Sequence, residues 1–215
     1  MYGRGDAAIR RTSKFYGNMT IQTYSPDNPP SLSLCNKIAD VIQDAFHERT
    51  ESGINFSCAN ITGTEYLKEL GNSYVIVALD DKNDIVGTVK LEIKKKNRFL
   101  YGHHTLLAVS SLSKRKGVGS ALFSELLSVS KQQELCFITS NTAESAYSSI
   151  KWHIKNGFVK YRLTSSSITN YYSINFILPL KALAFLRCAL INKPIYWLST
   201  LQCKISKRSD GTKRF

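Results

Sequence analysis

Val109-Ser110-Ser111-Leu112-Ser113-Lys114-Arg115-Lys116-Gly117-Val118-Gly119-Ser120-Ala121-Leu122 is the stretch on which the reading of this chain turns. Before it, Thr105-Leu106-Leu107-Ala108-Val109 is apolar and short, as a buried strand is. After it, Val118, Ala121, Leu122, Leu126 and Val129 recur at helical spacing and predict a helix from Gly117 to Val129. The opening turn of a helix presents unpaired N–H groups and the positive end of the helix dipole, a seat for a diphosphate. Gly117 and Gly119 keep side chains away from that backbone, and Lys114, Arg115 and Lys116 add cationic donors at its rim. Two familiar nucleotide strings are missing. Position 122 is Leu where a dinucleotide motif has its third glycine, and no G-x-x-x-x-G-K-[ST] run occurs.

Outward from this turn, the hydrophobic period alternates between strand and helix. Ile21-Gln22-Thr23-Tyr24 reads as a first short strand after a polar, loosely ordered segment 1–19. Leu34, Ile38, Val41, Ile42, Ala45 and Phe46 share one helical face, with Ser33 placed as the cap, and Thr64–Leu70 reads as a shorter helix. Tyr74–Leu79 and Ile85–Ile93 form a hairpin around the Asp80–Asp84 turn, with the basic run Lys94–Arg98 extending past it. Further on come a strand Leu135–Thr139, a helix from Ala143 to Lys155 closed by Asn156-Gly157, and two strands, Phe158–Leu163 and Tyr172–Leu178. A hairpin followed by strand-helix-strand-helix-strand predicts an α+β fold, a three-layer α/β/α arrangement around a mixed sheet. Beyond Pro179 the apolar segment 180–205 reads as two short helices meeting near Asn192-Lys193-Pro194. The expected organisation is a basic N-terminal segment 1–19, a domain 20–179 and an apolar and basic extension 180–215.

The segment Val109–Leu122 resembles the signature of the GCN5-related N-acetyltransferase (GNAT) superfamily, a strand ending in Val followed by [Gln/Arg]-x-x-Gly-x-[Gly/Ala]. Lys114 stands where Gln or Arg is usual, which keeps a donor and loses the planar fork. The second signature of that family, a helix followed by Gly-Phe, is matched by Ser148–Phe158 with Gly157-Phe158 at its end. The resemblance covers residues 20–178 and implies a mostly antiparallel sheet with one splayed parallel strand pair. It also implies acetyl-CoA as cofactor. Its diphosphate would lie on Lys114, Arg115, Lys116, Gly117, Val118, Gly119 and Ser120. Its pantetheine arm would pair with the backbone of Leu107 and Val109, with Asn141 contributing from the neighbouring strand. The implied activity is transfer of an acetyl group to an amine of a small molecule or a protein. The alternative is a CoA-binding or regulatory module without catalysis.

Such a transfer needs a base near the acceptor and an acid near the leaving sulfur. His103 precedes Val109 by six residues, where several relatives carry a Glu or His, and the resemblance makes it the base. Strand periodicity puts His103, Thr105, Leu107 and Val109 on one side and His104 on the other, and a one-residue change of register would exchange the two histidines. The family's acid is a Tyr four residues before the Gly of Gly-Phe; here that position is His153, an imidazole in place of a phenol.

The remaining signals bound the setting. Cys35, Cys58, Cys136, Cys188 and Cys203 show neither disulfide nor zinc spacing, so free thiols in a reducing cytoplasm and no metal are expected. The formal charge of +13 attracts polyanions in general, yet its three basic blocks lack a nucleic-acid recognition motif, so no specific nucleic acid is expected. The apolar residues of Leu180–Leu201 are expected first to pack on the domain core or on a partner such as a second copy, and the basic terminus Lys204, Lys207, Arg208, Lys213 and Arg214 also suits the inner face of an anionic membrane.

Overall fold

Ser73–Leu79 is apolar after Ser73, with Val75, Ile76 and Val77 β-branched at its centre, and it becomes a strand, β3, in which every residue is buried. It is the middle of a layer built outward by hairpins. Its partner β4 (Ile85–Lys96) returns antiparallel after a turn in which Asp80 Oδ1 accepts the N–H groups of Lys82 and Asp84, at 3.0 and 2.9 Å. On the other side lie β2 (Met19–Tyr24) and β1 (Thr12–Tyr16), both antiparallel. The later strands are β5 (Phe99–Val109), β6 (Phe137–Ala143), β7 (Val159–Ser165) and β8 (Tyr172–Pro179). One mixed sheet in the order β1-β2-β3-β4-β5-β6-β8-β7 results, with β5 and β6 as its parallel pair. The flanking helices are α1 (Leu32–Glu51), α2 (Gly63–Lys68), α3 (Val118–Gln132) and α4 (Tyr147–Lys155).

The computed structural model describes residues 12–16, 18–51, 56, 58–96, 99–165, 171–181 and 195–202. Arg98, residues 166–170 of the expected polar loop, the junction at Asn192-Lys193-Pro194, Cys188, Cys203 and the basic terminus lie outside them. Two compact units are formed, each with its own interior. The first contains β1 to β3, α1 up to Phe46, α2, β4 up to Ile93, Thr105–Val109 of β5 and α3 up to Val129. In it α1 buries Ile38, Val41, Ile42 and Phe46 of the expected face together with Cys35 and Ala39, while Leu34 and Ala45 are half-buried; α3 buries Val118, Ala121, Leu122, Leu126 and Val129, the face expected from their spacing. The second contains Lys94–His104, β6, α4, β7 and β8, with Ile138, Phe158, Ile174 and Phe176 buried.

Several boundaries differ from the sequence reading. Residues 12–16, expected to be loose, pair with β2, and Lys14 of that strand meets the buried carboxylate of Glu125 on α3 at 2.5 Å. Glu125 also accepts from the Thr23 hydroxyl at 3.3 Å. An ion pair spanning 111 residues secures a strand whose local pattern is weak. Ser31, not Ser33, caps α1, its hydroxyl accepting Leu34 N–H at 3.3 Å. Lys94–Lys96 belong to β4 instead of running past it, and β5 starts at Phe99, so both histidines are strand residues. Ala143 ends β6, and α4 begins four residues later at Tyr147.

Candidate active site

In the first unit, β5 runs into a short 3-10 turn, Ser111–Ser113, and the chain then turns twice through left-handed backbone, at Arg115 (φ 64°) and Gly117 (φ 84°). Gly117 is the residue for which that conformation is cheap. The first helical bonds of α3 run from Ser120 and Ala121 N–H to Gly117 O, both 3.0 Å, so the amides of Val118 and Gly119 stand ahead of the ladder. A Cβ at Gly117 would meet nothing within 4 Å, and one at Gly119 would meet only Val109 Cγ2, at 3.8 Å. Glycine inside a helix costs about 1 kcal/mol relative to alanine. Nothing in the packing here repays that cost at Gly119, so the open backbone suits a group from outside the chain. Lys114, Arg115, Lys116, Gly117 and Ser120 are exposed around it, and Val118 is buried beneath.

One residue missed by the sequence reading holds this connection. Asp44 of α1 accepts Ser111 N–H on Oδ2 at 2.7 Å across sixty-seven residues of sequence. That bond first, then the Ser111 and Ser110 hydroxyls and the Lys114 charge, hold the Asp44 carboxyl below the usual aspartate range against the opposing effect of burial. Upstream on β5, Leu106 is itself left-handed (φ 53°), at a cost of about 1–2 kcal/mol for a residue with a Cβ. The strand is therefore kinked beside Leu107 and Val109, both half-buried.

In the second unit, His103 and Thr139 are register partners, and His103 Nδ1 lies 2.9 Å from Thr139 Oγ1. The Thr139 hydroxyl donates to Gly102 O at 3.2 Å, so it accepts from His103 Nδ1–H, and the basic nitrogen of the neutral ring is Nε2. His104 points to the opposite side of β5, as alternation requires, and stacks on His153 at 5.5 Å.

His153 is buried in a ring of aromatics. It stacks on Phe176 at 4.4 Å and meets the edges of Phe158 and Trp152 at 5.1 and 5.2 Å. Its Nδ1 donates to Ser149 O at 2.7 Å, because a carbonyl only accepts, and its Nε2 is hydrogen-bonded to the Ser140 hydroxyl at 2.9 Å. Ser140 and Phe176 are cross-strand partners, which explains how β6 and β8 present a hydroxyl and a ring to the same imidazole. The Gly-Phe that ends α4 has a local cause too. Gly157 (φ 83°) donates to Ile154 O and Phe158 to His153 O, each at 3.0 Å, a Schellman cap whose following ring covers His153. Asn141 lies exposed on β6, opposite Asn175 of β8.

Residues 71–160, which contain the turn, His103, His104, His153 and the Gly-Phe cap, match the family model of the acetyltransferase (GNAT) domain. Residues 71–160 are a GNAT domain. No curated protein matches it significantly. Among solved structures, its fold is similar to that of ribosomal-protein-S5-alanine acetyltransferase from Vibrio fischeri. That match has 18% identity and a TM-score of 0.62, over 80% of this chain and 98% of that one. Similar too is YncA, a putative acetyltransferase from Salmonella typhimurium with its cofactor acetyl-CoA, at 16% identity and a TM-score of 0.57, over 77% and 96%. A GNAT-family acetyltransferase from Elizabethkingia anophelis with acetyl-CoA bound matches at 16% identity and 0.52, over 77% and 100%. The mixed sheet with a single parallel pair is thus the GNAT fold, and the sequence expectation of that family and fold holds.

Proposed function

We propose that this GNAT domain transfers the acetyl group of acetyl-CoA to an amine of a small molecule or a protein. The observation that carries the proposal is the open turn at Gly117 and Gly119, whose backbone is left uncovered at a cost in helix stability. Val118 and Gly119 amides, with Lys114, Arg115, Lys116 and Ser120 around them, would hold the diphosphate. Backbone groups of Leu107 and Val109 would pair with the pantetheine amides, and Asn141 would add a side-chain contact. When bound, acetyl-CoA supplies a thioester carbon open to nucleophilic attack.

In the transfer the amine nitrogen forms a bond to that carbon, the C–S bond breaks, and the amine loses one proton while the sulfur gains one. His103 takes the amine proton on Nε2, its Nδ1–H being held by Thr139. The Val109 N–H polarises the carbonyl. His153 with Ser140 returns a proton to the sulfur. With Nδ1–H held on Ser149 O, the protonated ring donates Nε2–H to Ser140 Oγ; the Ser140 hydroxyl hydrogen passes to the thiolate, Ser140 takes the Nε2 proton in its place, and the ring is left neutral.

The extension has a separate role in this reading. Residues 195–202 are helical; Ser199 accepts Leu163 N–H at 3.0 Å and Lys160 sits over the Tyr196 ring at 5.8 Å, while Trp197, Leu198 and Leu201 are exposed. No helix among the described residues is long and apolar enough to cross a membrane. The apolar face followed by a basic terminus is suited to lie on an anionic lipid surface. Pelleting with acidic and neutral vesicles supports this if only the acidic ones retain the protein, whereas a dimer in gel filtration with no vesicle binding overturns it.

The main proposal is tested by calorimetric titration with CoA and acetyl-CoA, followed by thiol release with a panel of amines. Binding with amine-dependent thiol release supports it. A folded protein that binds neither form of the cofactor overturns it, and binding without release under any amine leaves a CoA-binding module instead of an enzyme.

A further inference from the structure

The 3-10 turn Ser111–Ser113 begins without a side-chain cap of its own, for Ser110 makes no capping bond. The donor that a cap would satisfy, Ser111 N–H, is taken by Asp44 of α1 at 2.7 Å. Ser113 N–H then closes the turn on Ser110 O at 2.9 Å. Asp44 is exposed, and its hydrogen bonds go to this connection alone among the described residues, the Ser111 and Ser110 hydroxyls adding to the Ser111 N–H, so its place in the fold is defined by the turn.

A carboxylate at this spot is otherwise unfavourable. It lies within electrostatic reach of Lys114, at the mouth of a turn whose amides and cations suit an anion. A negative charge there repels a diphosphate, which only a positioning benefit offsets. The benefit is geometric: with Ser111 pinned to α1, the segment from Ser110 to Gly117 has a fixed starting point. The left-handed residues Arg115 and Gly117 then aim the following amides one way.

We propose that Asp44 is a positioning residue of the cofactor site, capping the Ser111 turn from α1 so that the amides ahead of α3 are preorganised for a diphosphate. The inference rests on the reading of that turn given above, and it adds a residue outside the matched segment 71–160.

Two substitutions approach the bond from its two ends. Asp44→Ala removes the acceptor. Ser111→Pro removes the donor at a first-turn position that tolerates proline, preceded by Ser110, whose φ −49° and ψ 140° suit the residue before a proline. Asp44→Asn keeps an acceptor oxygen and loses the charge. Asp44→Ala and Ser111→Pro are each expected to raise the CoA Kd and the KM for acetyl-CoA about three- to tenfold, a loss scaled to one hydrogen bond. In both, kcat at saturation stays within about twofold. Asp44→Asn recovers most of the affinity, and the double variant Asp44→Ala, Ser111→Pro loses no more than either single one.

Amide hydrogen exchange at Ser111, followed in the folded protein without cofactor, is expected to speed up in Asp44→Ala and gives a readout independent of CoA. Unchanged Ser111 exchange overturns the cap whatever the cofactor does. Wild type that binds CoA while Asp44→Ala binds it equally well overturns the positioning role alone. Wild type that binds no CoA overturns the diphosphate reading itself, and this inference with it.

Discussion

The Ser140 hydroxyl is aimed at Nε2 of His153 over 2.9 Å, while the other ring nitrogen is held on Ser149 O. In the proposed mechanism the pair serves as a hydroxyl-imidazole relay inside an aromatic shell, at the position where the family resemblance implies a phenol. Ser140→Ala and His153→Phe are expected to lower kcat about 10- to 100-fold, within the range of general acid–base catalysis. His153→Phe preserves the stack on Phe176 at 4.4 Å, so it tests proton transfer more than packing. Steady-state rates decide: kcat should fall while the KM for acetyl-CoA stays unchanged, and variants as fast as wild type would remove the relay.

His103→Ala should lower turnover by about 100-fold while CoA affinity stays within about twofold. Thr139→Val leaves the imidazole but deletes the hydroxyl that holds its Nδ1 hydrogen, and a smaller fall in kcat, with the cofactor KM unchanged, is expected. Rates for both variants, set beside acetyl-CoA titrations, check the assignment. A fall in affinity without a fall in kcat contradicts it.

Gly119→Ala separates fold from function in opposite directions. The new methyl meets only Val109 Cγ2, at ordinary contact distance, and alanine is the better helix former, so stability should rise by up to about 1 kcal/mol. CoA binding should weaken about tenfold, or ~1.4 kcal/mol. Urea unfolding and calorimetry measure the two effects; tighter CoA binding in the more stable variant would count against the turn as a diphosphate seat.

His104 should make the second unit acid-sensitive. Both its ring nitrogens are buried without a hydrogen-bond partner among the described residues. Burial first, and then the nearby His153 and His103, hold its pKa well below that of an ordinary imidazole. The folded state keeps it neutral while the unfolded chain binds a proton near pH ~6.5. Stability is therefore complete above that pH and is lost as the pH falls below it. His104→Phe removes the titrating group and should flatten the decline. Unfolding free energies at pH 7.5, 6 and 5, about one unit apart or more, compare the two proteins; parallel declines would exclude His104 as the cause.

The hydrophobic period made the hairpin β3–β4, the faces of α1 and α3 and the turn between β5 and α3 legible, because each depends on residues a few positions apart. Alternation correctly put His103 and His104 on opposite sides of β5. Local pattern misjudged Thr12–Tyr16, which is held through Lys14 and Glu125, and it took Ala143 for a helix residue although β8 claims it as a strand partner of Ser173. Asp44 carried no signal at all, being one polar residue among several on the exposed side of α1.

By itself, then, the order of residues determined the family, the mixed sheet and the glycine turn, since a helix start, a strand and a left-handed cap are written in contiguous side chains. Only the tertiary structure decided that Nδ1 carries a hydrogen in His103 and His153, that His104 has no hydrogen-bond partner among the described residues while His153 has two, and that Asp44 caps a turn on another element. Those outcomes depend on atoms brought together across 36, 13 and 67 residues of chain, and no local spacing encodes a contact that only the packed elements create.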